Sequence, residues 1–245
     1  MQGKALKIRD ICFRWNETEK FLLSQISCDF PPGSVSALIG ANGSGKTSLL
    51  EIICGRLAVD LGTVEIGEQK AEKDDFNYLP QDSTRLLFSH LTLGENIALH
   101  RAPSNGELPA MATALFKDAS VLSRYPARCS GGQRQRAAIC RAILDMPHFP
   151  ATLLDESFSA LSDDAKNLLG PELRRAAAAS GTVVVFVSHD LFDAMRFGDR
   201  VLTLNHGRLL AFDTSDVKTE VDCWNQAGRR EEIMRSLRAS EQPTT

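Results

Sequence analysis

The stretch "SALIGANGSGKTSLL" (residues 36–50) decides the fold. Its centre fits the pattern G-x-x-x-x-G-K-[ST], with Gly40, Gly45, Lys46 and Thr47 in the required places. An apolar strand precedes the glycines, and a helical pattern follows the lysine. Glycines let successive backbone N–H groups face one centre, and the helix N-terminus adds the positive end of its dipole. The stretch therefore predicts a phosphate-binding loop, in which the lysine reaches the β- and γ-phosphates and the threonine hydroxyl binds Mg²⁺.

The composition is typical of an ordinary soluble globular protein. The chain has 245 residues, of which 43% are hydrophobic and 24% charged, and its formal net charge is −3. This net negative charge does not indicate the excess of basic residues that favours nucleic-acid binding, so we expect no nucleic-acid partner. There is no apolar run of about 18 residues and no signal-peptide core at the N-terminus, so we expect the chain not to cross a bilayer itself. The six cysteines are scattered, which favours free thiols in a reducing cytosol over zinc or disulfides.

Strands and helices alternate on both sides of the loop. The first third of the chain is predicted as strands, residues 90–145 as mostly helical, and "GTVVVFVSHD" (181–190) as a buried strand. "RVLTLNHGRLLAFD" (200–213) is predicted as a hairpin around Asn205–Gly207. Such alternation implies an α/β fold with a mainly parallel, covered sheet and ligands at the carboxyl ends of its strands.

Two acids follow another apolar strand, in "ATLLDE" (151–156). Asp155 and Glu156 would then lie at the carboxyl edge of the sheet, where one carboxylate can hold hydrated Mg²⁺ and the other can polarise an attacking water. Alone, this pattern is as typical of a solvated strand end with a capping role. Together with a phosphate loop, the same pattern favours Mg²⁺ binding and activation of a water molecule.

A second pair of glycines opens a helix in "CSGGQRQR" (129–136). Ser130 can cap that helix, and the N–H groups of Gly131 and Gly132 then form an anion site at its N-terminus. The alternative is a glycine-rich turn before a helix with no ligand.

These motifs, taken together and in order, resemble the ABC ATPases, the nucleotide-binding subunits of ATP-binding-cassette systems. The resemblance also rests on "YLPQD" (78–82), "SFSALSD" (157–163) and "VSHD" (187–190), and it covers about residues 5–215. It implies one ABC ATPase domain with a P-loop NTPase core, an N-terminal antiparallel β subdomain and an inserted α-helical subdomain. The implied boundaries are 1–81 and 146–215 for the core with the β subdomain, 82–145 for the helical subdomain, and 216–245 for a C-terminal helix and polar tail.

The resemblance implies roles in ATP hydrolysis. Glu156 would orient and deprotonate the lytic water, and His189 would contact the γ-phosphate. Lys46 would offset charge on the transferred phosphoryl group. The implied Mg²⁺ ligands are Thr47, Gln81 and Asp155, and the glutamine also counts among the catalytic residues.

The same resemblance implies how ATP is held. Trp15 in "CFRWN" would stack on the adenine, with Phe13 a weaker choice and a core position for the tryptophan as the alternative. The residues implied to hold the phosphates are Gly40, Asn42, Gly43, Ser44, Gly45, Lys46, Thr47 and Ser48.

A head-to-tail homodimer is implied on ATP binding. In it, the γ-phosphate held by one subunit is capped by Ser130, Gly131, Gly132 and Gln133 of the other, so the second glycine pair would serve the partner's nucleotide.

Three positions depart from the family pattern. Cys129 stands where leucine is commoner, and we expect function to survive. Ser162 stands where the family usually has aspartate, which puts communication across the dimer in doubt. Ser157 replaces the usual proline after the glutamate.

The block before the second glycine pair is the coupling region in transporters of this family. "RLLFSHLTLGENIAL" (85–99) resembles the matching segment of prokaryotic importers. Leu86, Leu87 and Phe88 are candidates for contact with a membrane subunit or for core packing. We expect an ATPase subunit that powers solute transport through separate membrane subunits at the inner face of the cell membrane, with import favoured and a substrate-binding protein involved indirectly. The alternatives are an ABC-type ATPase in a soluble process such as DNA repair or translation, and an ATP-gated module without turnover.

Overall fold

The computed structural model describes residues 3–17, 19–99, 110–116 and 118–213, with only the backbone described at 212 and 213. The predicted C-terminal helix and tail (216–245) lies outside these residues. Within the described ranges, no helix combines the length and apolarity needed to span a bilayer.

The described residues form two sheets with helices around them. The strands are β1 (Leu6–Phe13), β2 (Leu23–Phe30), β3 (Val35–Ile39), β4 (Leu61–Ile66), β5 (Gln69–Lys70), β6 (Phe76–Leu79), β7 (Ala151–Leu154), β8 (Val183–Val187), β9 (Arg200–Asn205) and β10 (Arg208–Asp213). The α-helices are α1 (Lys46–Ile53), α2 (Leu93–Ile97), α3 (Ala110–Ala114), α4 (Gly131–Asp145), α5 (Asp163–Ser180) and α6 (Leu191–Phe197).

The larger sheet has the strand order β10-β9-β3-β8-β7-β6, and its pairs from β9 to β6 are parallel. Strands β3 and β8 are buried at all five of their positions, as expected for a parallel sheet covered on both faces. Strand β10 returns antiparallel to β9 as the predicted hairpin. The smaller sheet has the order β2-β1-β4-β5 and is antiparallel throughout.

Successive side chains of the parallel sheet point to opposite faces and pack into two separate cores. Leu38 and Val185 pack with α1 and the small sheet, whereas Ala37 and Phe186 pack with helices from the second half of the chain. The large sheet is therefore the middle layer, and the helical block predicted at 90–145 shares the second of these cores.

The helical block contains less α-helix than the sequence predicts. The stretch "ELPAMATALFKDASVLSRY" (107–125) has apolar residues at helical spacing, yet its described part forms the five-residue α3 and a 3-10 helix at Ala119–Ser123. The Asp118 carboxylate accepts a hydrogen bond from the Ser120 amide at 2.9 Å and so caps a new turn there. The boundary at 82–145 stays a prediction.

The parallel strands end at one edge of the sheet, and this edge positions the site. Ile39, Leu79, Leu154 and Val187 are the last residues of β3, β6, β7 and β8. The segments that follow these strands carry the predicted phosphate loop, Gln81, the two acids and His189, so topology brings them to the same place.

Candidate functional site

The phosphate loop (residues 40–47) requires glycine at two positions for reasons within this chain. A Cβ on Gly40 would lie 2.3 Å from the carbonyl oxygen of Leu204, a backbone atom that has no easy way to move. Gly45 precedes α1 with φ of 99°, which L-residues rarely adopt. Ser44 closes the turn by donating its amide to the Ala41 carbonyl at 3.2 Å, and its buried hydroxyl has no partner among the described residues.

Lys46 lies inside the loop. Its side chain is buried, and Nζ donates to the carbonyl oxygens of Gly40 and Ala41 at 3.0 and 2.9 Å. Burial lowers the pKa of Lys46, while the nearby carboxylates of Glu156 and Asp155 oppose that shift. The loop's own carbonyls thus hold the ammonium group where the phosphates are expected.

Asp155 is buried at the end of β7 and is paired on one side only. Its Oδ2 accepts a hydrogen bond from the Thr47 hydroxyl at 3.0 Å, and within the described part of the chain its buried Oδ1 has no partner. Loss of solvation is the main reason that the pKa of Asp155 is raised, and Glu156 and Glu51 push it the same way. A buried carboxylate oxygen without a donor, next to a hydroxyl, fits a hard divalent cation such as Mg²⁺.

Glu156 meets two of the other predicted catalytic residues. Gln81 Nε2 donates to its Oε2 at 3.2 Å, and His189 Nδ1 lies 3.9 Å from the same oxygen. The glutamate has φ of 47°, an unfavourable backbone conformation for a residue with a side chain. Three strand ends therefore converge on one carboxylate.

A cavity of about 510 Å³ joins the loop to the aromatic candidate, within the usual range for small-molecule sites. Trp15 lines it and is 58% exposed, whereas Phe13 is buried and meets Trp15 edge-on with ring centroids 5.0 Å apart. Trp15 is therefore not a core residue, and its contact with adenine stays a prediction. The lining residues are Trp15, Leu22, Asn42, Gly43, Gly45, Lys46, Thr47, Ser48, Gln81 and Glu156.

The signature segment (residues 129–133) lines no part of that cavity. Ser130 is the N-cap of α4 and accepts a hydrogen bond from the Gln133 amide at 3.2 Å, while Gln133 Oε1 accepts from the Ser130 amide at 2.8 Å. Among the described residues, a Cβ on Gly131 or Gly132 would meet no atom within 4 Å. The Gln133 side chain thus closes a capping box, a role that the spacing S-x-x-Q could have indicated.

The departures from the family pattern each have a place in the fold. Cys129 is buried, its thiol donates to the Tyr125 carbonyl, and burial raises the pKa of that thiol. Ser162 is the N-cap residue of α5 but makes no capping hydrogen bond with its side chain. Ser157 is fully buried and donates its hydroxyl to the Asp155 carbonyl at 3.3 Å.

Two tertiary links were not visible in the sequence. Lys166 of α5 pairs with Asp193 of α6 at 2.7 Å in a buried contact, which ties the helix after the 157–163 segment to the helix after His189. Gln135 of α4 is buried and hydrogen-bonded at both ends of its amide. No local pattern distinguishes these side chains from solvated ones.

A glycine loop lies between the buried parallel strand β3 and a helix, and β7, which ends in two acids, is separated from β3 by one strand, β8. This arrangement defines a P-loop nucleotide-binding fold. A family model described as "ABC transporter" matches residues 23–159, which is more than half of the chain. The chain belongs to the ABC transporter family.

Curated relatives agree with that assignment. The chain is 35% identical over 212 residues to the sulfate/thiosulfate import ATP-binding protein CysA of Caulobacter vibrioides, covering 79% of this chain and 60% of the relative. It is 33% identical over 201 residues to the Fe(3+) ions import ATP-binding protein FbpC of Pseudomonas fluorescens, covering 77% of this chain and 56% of the relative. The chain thus spans about 60% of the length of the curated relatives that it matches.

Solved structures share the fold. A structure titled as the ATP-binding subunit of an ABC transporter superposes with a TM-score of 0.75 at 24% identity, covering 95% of this chain and 98% of that one. A dimeric ATP-binding cassette in a post-hydrolysis state, bound to ADP and Pi, superposes with a TM-score of 0.69 at 23% identity, covering 85% of this chain and 98% of that one. The predicted α/β architecture is confirmed.

Proposed function

We propose that this chain binds and hydrolyses Mg²⁺-ATP as the ATP-binding subunit of an ABC transporter, which moves a solute through separate membrane subunits. The observation that carries the proposal is the convergence of Lys46, Asp155, Glu156 and His189 at one sheet edge, beside a cavity of about 510 Å³. Family membership and the import names of the relatives support it.

The chain's own groups supply positioning and charge, which are the main requirements of phosphoryl transfer. The backbone N–H groups of the phosphate loop and Lys46 would hold the β- and γ-phosphates. Thr47, Asp155 and Gln81 would hold Mg²⁺, which when bound offsets charge on the phosphate oxygens. Glu156 would accept a proton from the attacking water, and His189 would contact the γ-phosphate.

Trp15 would bind the adenine ring. It is exposed at the cavity, its ring is braced by Phe13, and a flat aromatic face suits stacking on a base.

The start of α4 supports a head-to-tail homodimer. Glycine in a helix costs up to about 1 kcal/mol relative to alanine, yet no residue that the structure describes excludes a Cβ at Gly131 or Gly132. The first N–H groups of a helix have no partner within it. We infer that the requirement comes from outside the chain: Ser130 and these N–H groups hold the γ-phosphate bound to the partner's loop.

In this role, residues 85–99 would contact the membrane subunits at the inner face of the cell membrane. Leu87 is buried and Leu86 packs against the core, but Phe88 is 45% exposed. Asn96 Oδ1 accepts a hydrogen bond from the Phe88 backbone amide at 2.7 Å, which holds the backbone that carries this exposed side chain. Import is favoured over export and over a soluble process, because the relatives are named as import subunits. A separate substrate-binding protein would serve the transporter indirectly.

The test is Glu156→Gln, which keeps the shape and the Gln81 contact but removes the base. We expect steady-state ATPase turnover to fall about 10²- to 10³-fold while ATP binding persists. Solute uptake in proteoliposomes with the membrane subunits should fall in parallel. Glu68→Gln, on an exposed turn away from the cavity, is the matched control. Unchanged turnover in Glu156→Gln would reject the assignment of the catalytic base.

A further inference from the structure

A buried chain of hydrogen bonds links α4 to the loop that carries Glu156. The Ser83 hydroxyl donates to Gln135 Oε1 at 2.8 Å, and Gln135 Nε2 donates to the Ser157 carbonyl at 3.0 Å. Ser83 and Ser157 are fully buried, and Gln135 is 7% exposed. One side-chain amide therefore spans three segments that are far apart in sequence.

Each of the three linked residues lies close in sequence to a predicted site residue. Ser83 lies two residues after Gln81, and Gln135 lies five residues after Ser130 on the same helix. Ser157 directly follows Glu156. The link thus joins the segment after the glutamine, the helix that begins with the signature segment, and the catalytic loop.

Packing alone does not account for a glutamine at this position. A buried amide loses its hydration and side-chain entropy, so it persists where both of its ends are paired. Ala138, Ile139 and Ala142, which lie three, four and seven residues further along the same face of α4, are apolar and buried. Gln135 is the polar residue among these four, and both ends of its amide are satisfied.

The loop that Gln135 contacts is strained. Glu156 has φ of 47°, and such a conformation persists only where the surroundings hold it. On the C-terminal side, the amide and hydroxyl of Ser159 donate to the Glu156 carbonyl at 3.2 and 2.8 Å. The bond from Gln135 to the Ser157 carbonyl anchors the intervening residue from outside the loop.

We propose that Gln135 is a positioning residue for hydrolysis. It holds the Glu156 turn in register with α4, so that one side chain sets both the direction of the carboxylate and the position of the helix carrying Ser130. This inference rests on the proposed function. It predicts that the contact α4 makes with the partner's nucleotide and the orientation of the water-activating group are coupled through a single amide.

The first experiment separates positioning from binding. Gln135→Met keeps length and volume but removes both hydrogen bonds. We expect kcat for ATP to fall about 10- to 100-fold, because a small displacement of a catalytic group is costly, with KM and the Kd for a fluorescent ATP analogue changed less than about threefold. Gln69→Met, on the exposed strand β5, controls for the substitution type. A wild-type kcat in Gln135→Met overturns the inference.

The second experiment is a double-mutant cycle with Glu156→Gln. If Gln135 acts through the glutamate, adding Gln135→Met to Glu156→Gln should lower the residual rate by less than about twofold, because groups that act as a unit are not additive. A general loosening of the fold would lower both backgrounds by the same factor, and that result overturns the inference. If Glu156→Gln alone keeps full turnover, the assignment of Glu156 as the catalytic base, on which this inference rests, fails instead.

If Gln135→Met does not fold, two other variants test the same inference. Ser83→Ala removes only the bond to Oε1 and should lower kcat severalfold with the same non-additivity. Gln135→Glu keeps the acceptor for Ser83 but loses the donor to Ser157, so it should be as slow as the methionine variant. A folded Gln135→Glu with wild-type kcat would overturn the inference.

Discussion

Within the described residues, α1 and α4 both begin next to glycines, and the two helices differ in why glycine is needed there. In the phosphate loop, Gly40 is required because the Leu204 carbonyl would touch any Cβ, and Gly45 because its φ is 99°. At the start of α4, a Cβ on Gly131 or Gly132 would meet no atom of the described part of the chain within 4 Å. The described residues of this chain therefore account for the glycines of the phosphate loop, whereas they do not account for the glycines at the start of α4.

The largest expected effect comes from breaking each site in a different copy of the chain. Lys46→Ala and Ser130→Arg should each lower ATPase turnover about 10²-fold or more. Mixed in equal amounts, the two variants should form heterodimers with one intact composite site, and recover about a quarter of the wild-type sites. The measurement is steady-state turnover of the mixture.

Mixing must be confirmed by co-purification of differently tagged copies. Glu68→Gln mixed with Lys46→Ala is the control. Glu68→Gln already has intact sites, so forming heterodimers with Lys46→Ala should not increase the total number of active sites. An inactive mixture of Lys46→Ala and Ser130→Arg, with exchange demonstrated, would mean that the start of α4 does not serve a partner's nucleotide.

The second prediction compares the glycines through stability. Gly40→Ala should destabilise the fold by about 3 kcal/mol or more, because backbone must move to admit the methyl group. Gly131→Ala should leave the free energy of unfolding unchanged or raise it by up to about 1 kcal/mol, yet still lower turnover. Denaturant unfolding of the nucleotide-free protein measures both. A large loss of stability in Gly131→Ala would show that the fold itself needs that glycine.

The third and smallest expected effect concerns Asp155, which is hydrogen-bonded to Thr47 of the phosphate loop. Burial raises the pKa of Asp155 in the folded state above its unfolded value. At a pH between these two pKa values, the folded state binds more protons than the unfolded state does. Stability contributed by this group therefore falls as pH rises through that window, and the cost remains at neutral pH. Asp155→Asn should raise the Tm of the nucleotide-free protein at pH 7.5 by about 2–4 °C.

The gain in Tm should shrink as the pH is lowered from the raised folded pKa towards about 4, and it should be absent below that, where the wild-type carboxyl is protonated in both states. With Mg²⁺-ATP present the order should reverse, because only the wild-type carboxylate holds the cation. Calorimetry across this pH range, with and without the nucleotide, measures the difference. A less stable Asp155→Asn without ligand would mean that the Thr47 contact outweighs the cost of burial.

Local patterns predicted most of the elements. The buried strands β3, β7 and β8 and the long helix α4 are confirmed, because each has an apolar pattern that its own residues specify. The helical prediction for residues 107–125 was wrong in part. Asp118 caps a 3-10 turn there, and such a competing hydrogen bond does not alter the apolar period.

The sequence by itself determined which segments become the strands, the phosphate loop and the capped start of α4, since these depend on neighbours a few residues apart. Only the tertiary structure decided that Trp15 is exposed at the cavity while Phe13 is buried, that Glu156 adopts φ of 47°, and that Gln135 links α4 to the catalytic loop. These features depend on contacts between segments brought together by the parallel sheet. A side chain's neighbours across such a sheet are set by packing and topology, which no single stretch of sequence contains.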